Sequence, residues 1–301
     1  MPKNKPNIQR RNILITGCSS GIGLEAARIL HRRGHNVIAT VRKPVDQLML
    51  SQAGISNLSC DLANSESIGG MVEAAIKAFE GKVDVLFNNA AYGQPGAVED
   101  LTRDALREQF ETNVFGTQEL TNLVIKQMRQ QGSGRIIYNS SVLGLIALPY
   151  RGAYNASKFA IEGLADTLRL ELKGTGITIS LIEPGPITSQ FRQNAFTKYQ
   201  QHINKDTSAH KASYTAMEKR LLTPGPAAIT AMRCKTGLLL NALSSNSGGT
   251  SSMRPSSMRT YPPNGIIAMT YSVPDLLVLR HIGFPKPIEK RSTCTPHLRA
   301  T

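Results

Sequence analysis

The chain has 301 residues, a formal net charge of +14 and four cysteines. That length buries a substantial core in one large domain or two modest ones. Cys18, Cys60, Cys234 and Cys294 stand far apart with no CxxC or Cys/His spacing, which excludes a disulfide framework and a metal site as organising features. Nor does the charge call for nucleic acid. From Thr223 onward nine Lys/Arg face only Asp275 and Glu289, so half the surplus lies in the last quarter, and no basic helix or aromatic-interleaved patch accompanies it. No apolar run approaches the roughly 18 residues that span a bilayer. The basic opening MPKNKPNIQRR leads straight into an apolar run too short for a signal-peptide core, so the expectation is a cytoplasmic protein with no transmembrane segment.

In chain order, residues 1–11 form a basic N-terminal extension, and strands then alternate with helices. NILIT, Asn12 to Thr16, is a buried strand, and the amphipathic GIGLEAARILHRRG, Gly21 to Gly34, is a helix with a glycine stop. Asn36 to Thr40 is a second strand and Asn57 to Cys60 a short third. Ser65 to Phe79 carries Ile68, Met71, Val72, Ala75, Ile76 and Phe79 at helical spacing. Val83 to Phe87 is strand four, Asp104 to Gln130 one long helix, and Arg135 to Asn139 strand five. Tyr154 to Lys173 is helical and Ile177 to Ile182 is strand six. This succession predicts an α/β fold, a doubly wound parallel sheet covered on both faces, with ligands beyond the carboxyl ends of the strands.

Between strand one and its helix lies TGCSSGIG, Thr16 to Gly23. Gly17 allows the tight turn, Gly21 lets backbone approach a diphosphate and Gly23 permits close helix packing, while the helix amino terminus offers N–H groups to the anion. About 20 residues on, where an NAD site carries an acid for the ribose hydroxyls, the chain reads ATVRKP. A guanidinium at Arg42 binds a 2′-phosphate in forked geometry. The expectation is NADP(H), with NAD(H) the alternative and solvated loop charges at Arg42 and Lys43 the bland reading.

In YRGAYNASKFA, Tyr154 and Lys158 are four apart and share a helix face. A surface pair is the usual reading of such spacing. The order of TGCSSGIG, NNAAYG, ETNVFGT, NSSVLG, YNASK and EPGPI reverses it: over about Asn12 to Phe191 the chain resembles the short-chain dehydrogenase/reductase family, in particular its hydroxysteroid and retinol dehydrogenase-like branch and bacterial oxidoreductases. The resemblance implies a Rossmann fold and a catalytic tetrad of Asn113, Ser141, Tyr154 and Lys158. Ser141 is preferred to Ser140 because it precedes Tyr154 by thirteen residues. It also implies cofactor contacts from Gly17, Ser19, Ser20, Gly21, Ile22, Gly23, Arg42, Asp61, Leu62, Asn88, Ala90, Tyr154, Lys158, Pro184, Gly185, Ile187 and Ser189. Substrate contacts fall to Ser141 and Tyr154, with no metal. The chain departs from the family in having Ala91 for a common Gly and Ser189 for the usual Thr.

The chemistry gives each member a task. Moving a phenol from a pKa of about 10 toward 7 needs about 4 kcal/mol, the order that a cation within roughly 4 Å supplies at an effective dielectric near 20. Lys158 would make Tyr154 a proton donor to a ketone oxygen and also hold the nicotinamide ribose. Ser141 would hydrogen-bond that oxygen, and the side chain of Asn113 would fix a water joining Lys158 to solvent. Asp61 has a competing reading as a turn residue.

Phe191 to Leu222 reads as a mobile substrate loop and flap within a domain spanning 12–222, its aromatic residues suggesting an apolar pocket, and the resemblance implies a lipophilic carbonyl or secondary alcohol as substrate. Residues 223–301 form an atypical tail, rich in Ser, Gly, Pro and Arg, with the composition of a disordered or divergent segment. A helix over Ala227 to Leu243 and a seventh strand over Gly265 to Val273 are its only candidate elements. The resemblance implies a homodimer or homotetramer. The competing function is a catalytically weak or inactive nucleotide-binding regulatory or scaffold protein.

Overall fold

The computed structural model describes residues 9–187 and 189–223, together with the backbone of three short strands at Met232–Cys234, Met258–Tyr261 and Ile266–Met269. Seven strands form one sheet: β1 Asn12–Ile15, β2 Asn36–Val41, β3 Ser56–Ser59, β4 Val85–Asn88, β5 Gly134–Asn139, β6 Ile177–Pro184 and β7 Met232–Cys234. Their spatial order is β3-β2-β1-β4-β5-β6-β7; the first six run parallel and β7 is antiparallel to β6. This is the doubly wound order, and its switch point lies between β1 and β4.

The two faces follow from the period of two along each strand. Leu14, Ile38, Leu86, Ile136, Tyr138 and Leu181 enter one apolar layer, packed by α3 (Ser65–Ala78), α5 (Thr117–Gln130) and α6 (Gly152–Glu171). Their neighbours Ile13, Ile15, Val37, Ala39, Val85 and Phe87 enter the other, packed by α1 (Gly21–Arg32) and Leu50 of α2 (Pro44–Gln52). Leu14 is fully buried, so truncating it to Ala costs about 2–5 kcal/mol. Gly34 ends α1 with φ +87°, and His35 N–H donates to the carbonyl of Leu30 while Gly34 N–H donates to that of His31, a Schellman closure. Asn64 caps α3 by accepting the N–H of Ser67 at 2.8 Å.

Four features differ from the sequence expectation. The single helix over 104–130 is two, α4 (Arg103–Phe110) and α5, joined by a π-helical turn at Glu111–Gly116. The turn seats Gly116 where a Cβ would lie 1.8 Å from the carbonyl oxygen of Leu62 and buries Asn113. A short helix, α2, begins at Pro44 where no helix was anticipated, the proline supplying its first turn.

Residues 191–222, expected as a substrate loop and flap, hold two helices: α7 (Phe191–His202) and α8 (Lys211–Leu222) share a small core of Ala195, Tyr199, Ile203, Tyr214, Met217 and Leu221 with Ala97. In the tail, β7 occupies part of the range considered for a helix, and β9 (Ile266–Met269) pairs with β8 (Met258–Tyr261) and not with the main sheet. The rest of the tail expectation lies outside the described residues.

Candidate active site

The glycine loop closes on the β4 end through contacts that exclude a side chain. Gly17 and Gly21 have φ of +70° and +60°; a Cβ on Gly17 would stand 2.7 Å from Ala90 Cα, and one on Gly23 would stand 2.4 Å from both Gly17 O and Asn89 Nδ2. Ser20 precedes α1 without capping it through its side chain, and the first turn holds no acid, so its N–H groups stay available to an anion. Gly17, Ser19, Ser20, Gly21 and Ile22 line a cleft of about 1490 Å³ that also takes in Arg42, Lys43, Asp61, Leu62 and Ala90. Pro184, Gly185, Ile187 and Ser189 complete it, with Ser189 Cβ 3.2 Å from a Cβ placed on Gly21. The open loop, free helix end and size suit a dinucleotide's diphosphate. Arg42 is exposed and joins no ion pair among the described residues.

Two expected cofactor contacts fall elsewhere. Gly23 packs against the loop behind the cleft and does not line it. Asn88 is buried, donating from Nδ2 to Thr121 Oγ1 at 2.8 Å, because the β-strand alternation turns it toward α5; its neighbour Asn89 faces the cleft. Asp61 does both things foreseen for it, lining the cleft while its carboxylate accepts the N–H of Ala63 at 3.0 Å.

Asn89 and Asn139 were not singled out from sequence, although an NN doublet at a strand end is a visible signal. Asn89 Nδ2 donates to Thr16 O at 2.9 Å and Gly17 O at 3.0 Å, and its Oδ1 accepts from Asn139 Nδ2 at 2.9 Å. Thr16 Oγ1 accepts the N–H groups of both Asn89 and Ala90 at 3.0 Å. The main-chain oxygen of Asn139 in turn accepts from Lys158 Nζ at 2.7 Å. A continuous polar chain therefore joins the glycine loop to α6.

The structure brings Ser141, Tyr154 and Lys158 onto one cleft. Ser141 Oγ accepts the N–H of Leu143 at 3.1 Å, which leaves its own proton to donate, and its hydroxyl draws the Tyr154 phenol down. Tyr154 is 9% exposed, and Phe191, the first residue of α7, meets its ring edge-on at 5.3 Å. A Cβ on Gly93 would come 2.9 Å from Phe191 Cζ, so the absence of a side chain there admits that ring.

The expected electrostatic coupling is corrected by this geometry. Burial pushes the Tyr154 phenol up to about 12, and the groups that draw it down are Ser141 and then Arg151. Lys158 Nζ lies 5.6 Å from the ring centroid and is tied to Asn139; burial lowers it to about 8 against the upward pull of Glu162. Asn113 is held by the protein: its Oδ1 accepts the Tyr92 N–H at 3.2 Å, and its Nδ2 donates to Tyr92 O at 3.0 Å and Ser157 Oγ at 3.1 Å, so both side-chain protons are taken up. Among the described residues no helix is long and apolar enough to cross a membrane.

Residues 11–200 match the family described as short chain dehydrogenase. The chain is 43% identical over 187 residues to an uncharacterized oxidoreductase, YbbO, of Escherichia coli strain K12, covering 62% of this chain and 70% of that one. To human retinol dehydrogenase 8 it is 37% identical over 191 residues, covering 60% of each. A short-chain dehydrogenase/reductase from Burkholderia phymatum, solved with NAD, superposes with a TM-score of 0.63 at 25% identity over 72% of this chain and 80% of that one. An actinorhodin polyketide ketoreductase variant solved with NADPH gives 0.59 at 30% identity over 70% and 82%. The chain belongs to the short-chain dehydrogenase/reductase family: it is an oxidoreductase acting between CH–OH and C=O, with an NAD(P)-binding Rossmann fold.

Proposed function

We propose that the protein is an NADP(H)-dependent reductase of lipophilic carbonyl compounds in which Tyr154 is the proton donor. The observation that carries this reading is the placement of Tyr154 with Ser141 and Lys158 on the cleft that the glycine loop and Arg42 also line. A bound nicotinamide would supply the hydride in reduction and take it back in oxidation.

In reduction the Tyr154 phenol, which stays protonated at neutral pH, hands its proton to the carbonyl oxygen as charge builds there. Ser141 donates to the same oxygen, its Oγ oriented by the N–H of Leu143. Lys158 anchors the end of β5 through Asn139 and would hold the ribose. Asn113 fixes the Tyr92 segment from the π-helical turn. In the oxidising direction Tyr154 must lose its proton, so that rate rises with pH well above neutrality.

Preference for NADP(H) is supported by Arg42, whose fork has no carboxylate partner among the described residues, and by the lack of an acid at the end of β2. A lipophilic substrate is supported by Leu148, Phe191, Met217 and Leu221 on the cleft wall and by the retinol dehydrogenase relative. Exposed Phe115 and Phe159, on contacting elements, offer apolar area for the homodimer or homotetramer that belongs to this reading. The test is NADPH consumption by purified protein with a panel of aldehydes and ketones of increasing chain length. Turnover that rises with apolar length supports the proposal; none with any carbonyl sinks it.

A further inference from the structure

Three guanidinium groups from three separate elements converge on the substrate end of the cleft. Arg151 immediately precedes α6 and bridges Gly96 through its backbone, Arg192 is in the first turn of α7 and Arg220 in the last turn of α8; all three line the cleft with Tyr154. None forms an ion pair among the described residues. Among the described residues, Arg192 Nη1 donates to Thr223 O at 3.3 Å.

The carboxylates that share the cleft are engaged or placed elsewhere. Asp46 and Asp61 follow β2 and β3 beside Arg42, and Glu108 is held by Lys198 at 2.7 Å and His202 at 3.2 Å. Glu111 lies in the π-helical turn and pairs with none of the three arginines. Arg151 is half-buried, and the charges it feels most are the like charges of Arg220 and Arg192. Converging cations repel one another and lose solvation unless an anion is shared between them.

We infer that this end of the cleft binds an oxyacid group, a carboxylate or a phosphate, carried on the apolar substrate and gripped by Arg151, Arg192 and Arg220. The inference rests on the reductase reading: the substrate is then an apolar oxo compound bearing an anionic terminus. Bidentate geometry at guanidinium suits either oxyacid.

The experiment is calorimetric titration of the full chain with octanoate, octyl phosphate and octanol, repeated on Arg192→Ala and Arg220→Ala with circular dichroism as the folding control. At least one anion binds about tenfold or more tightly than octanol, and each substitution removes about tenfold of that affinity, the loss expected for a charge-assisted contact. The two anions distinguish carboxylate from phosphate as the group recognised. Equal binding of anions and octanol, no binding of any probe, or substitutions that weaken NADPH in place of the anion would overturn it. Turnover of ω-oxo-octanoate against its methyl ester then separates the two readings. A favoured acid supports both, and anion binding without turnover of either compound removes the reductase reading while the anion site stands.

Discussion

Lys158 donates from Nζ to the main-chain oxygen of Asn139 at 2.7 Å, and the Asn139 side chain donates to Asn89, which clamps the carbonyls of Thr16 and Gly17. The helix bearing Tyr154 and the loop suited to a diphosphate are thereby held by one set of hydrogen bonds. This linkage couples the two halves of the cleft.

Asn89→Ala breaks that linkage at its centre and leaves buried carbonyls unpartnered. We expect a stability loss of about 1–3 kcal/mol. NADPH affinity should fall with it, while Asn89→Asp, which cannot donate to the two carbonyls, fails to rescue. Denaturant unfolding and NADPH titration check both; retention of full affinity in the alanine variant would show that the loop is set by its glycines alone.

Lys158 gives stability a defined pH dependence. Its folded value of about 8 lies below the ordinary lysine value of 10.5. Between these limits the unfolded chain holds the proton and the folded one does not, so stability rises with pH across the window, by about 3 kcal/mol in all. Tyr154, raised to about 12, acts oppositely: its contribution is complete below about 10 and is lost above it. Unfolding of wild type and Lys158→Met from pH 7 to 10 should show a wild-type slope that the variant lacks. Parallel curves would contradict the burial argument.

Arg42→Asp should reverse cofactor choice. Loss of a charge-assisted contact worth about 1.5–3 kcal/mol lowers NADPH efficiency some 10–150-fold, while NADH gains an acceptor for its ribose hydroxyls. The ratio of kcat/KM for the two cofactors reads this directly. An unchanged ratio removes Arg42 from the site.

Gly93→Ala tests the seat of Phe191, since the new methyl would fall 2.9 Å from its ring carbon. Phe191 must then leave its edge-on contact with Tyr154, and we expect a several-fold rise in KM for carbonyl substrate with a smaller change in kcat. In a Phe191→Ala background the same substitution should have little further effect, because the two act through one contact.

Much of this architecture was legible because strand and helix periods are local. Ile13 and Ile15 face one layer and Leu14 the other, as alternation requires, and the glycines at 17, 21 and 23 mark the loop whose contacts they permit. The π-helical turn was not legible, since the apolar spacing from Asp104 to Gln130 stays helical through it. The close approach of Gly116 to Leu62, which the turn serves, is a contact between distant segments. Asn113 was identified by pattern, but its partners, Tyr92 and Ser157, are set by tertiary packing. The balance at Tyr154 was misjudged for a related reason: a spacing of four reports proximity and says nothing of burial, which dominates there. Arg151, Arg192 and Arg220, each an ordinary solvated charge in sequence, acquire meaning only when three elements meet.

The central claim is that Tyr154 delivers the proton, and the most direct measurement is steady-state carbonyl reduction with NADPH by wild type and Tyr154→Phe, with NADPH binding measured alongside. We predict a fall in kcat of about 10²–10⁴, the range for a positioned acid, with NADPH affinity retained. Turnover within a few-fold of wild type in a folded, NADPH-binding Tyr154→Phe would contradict the account.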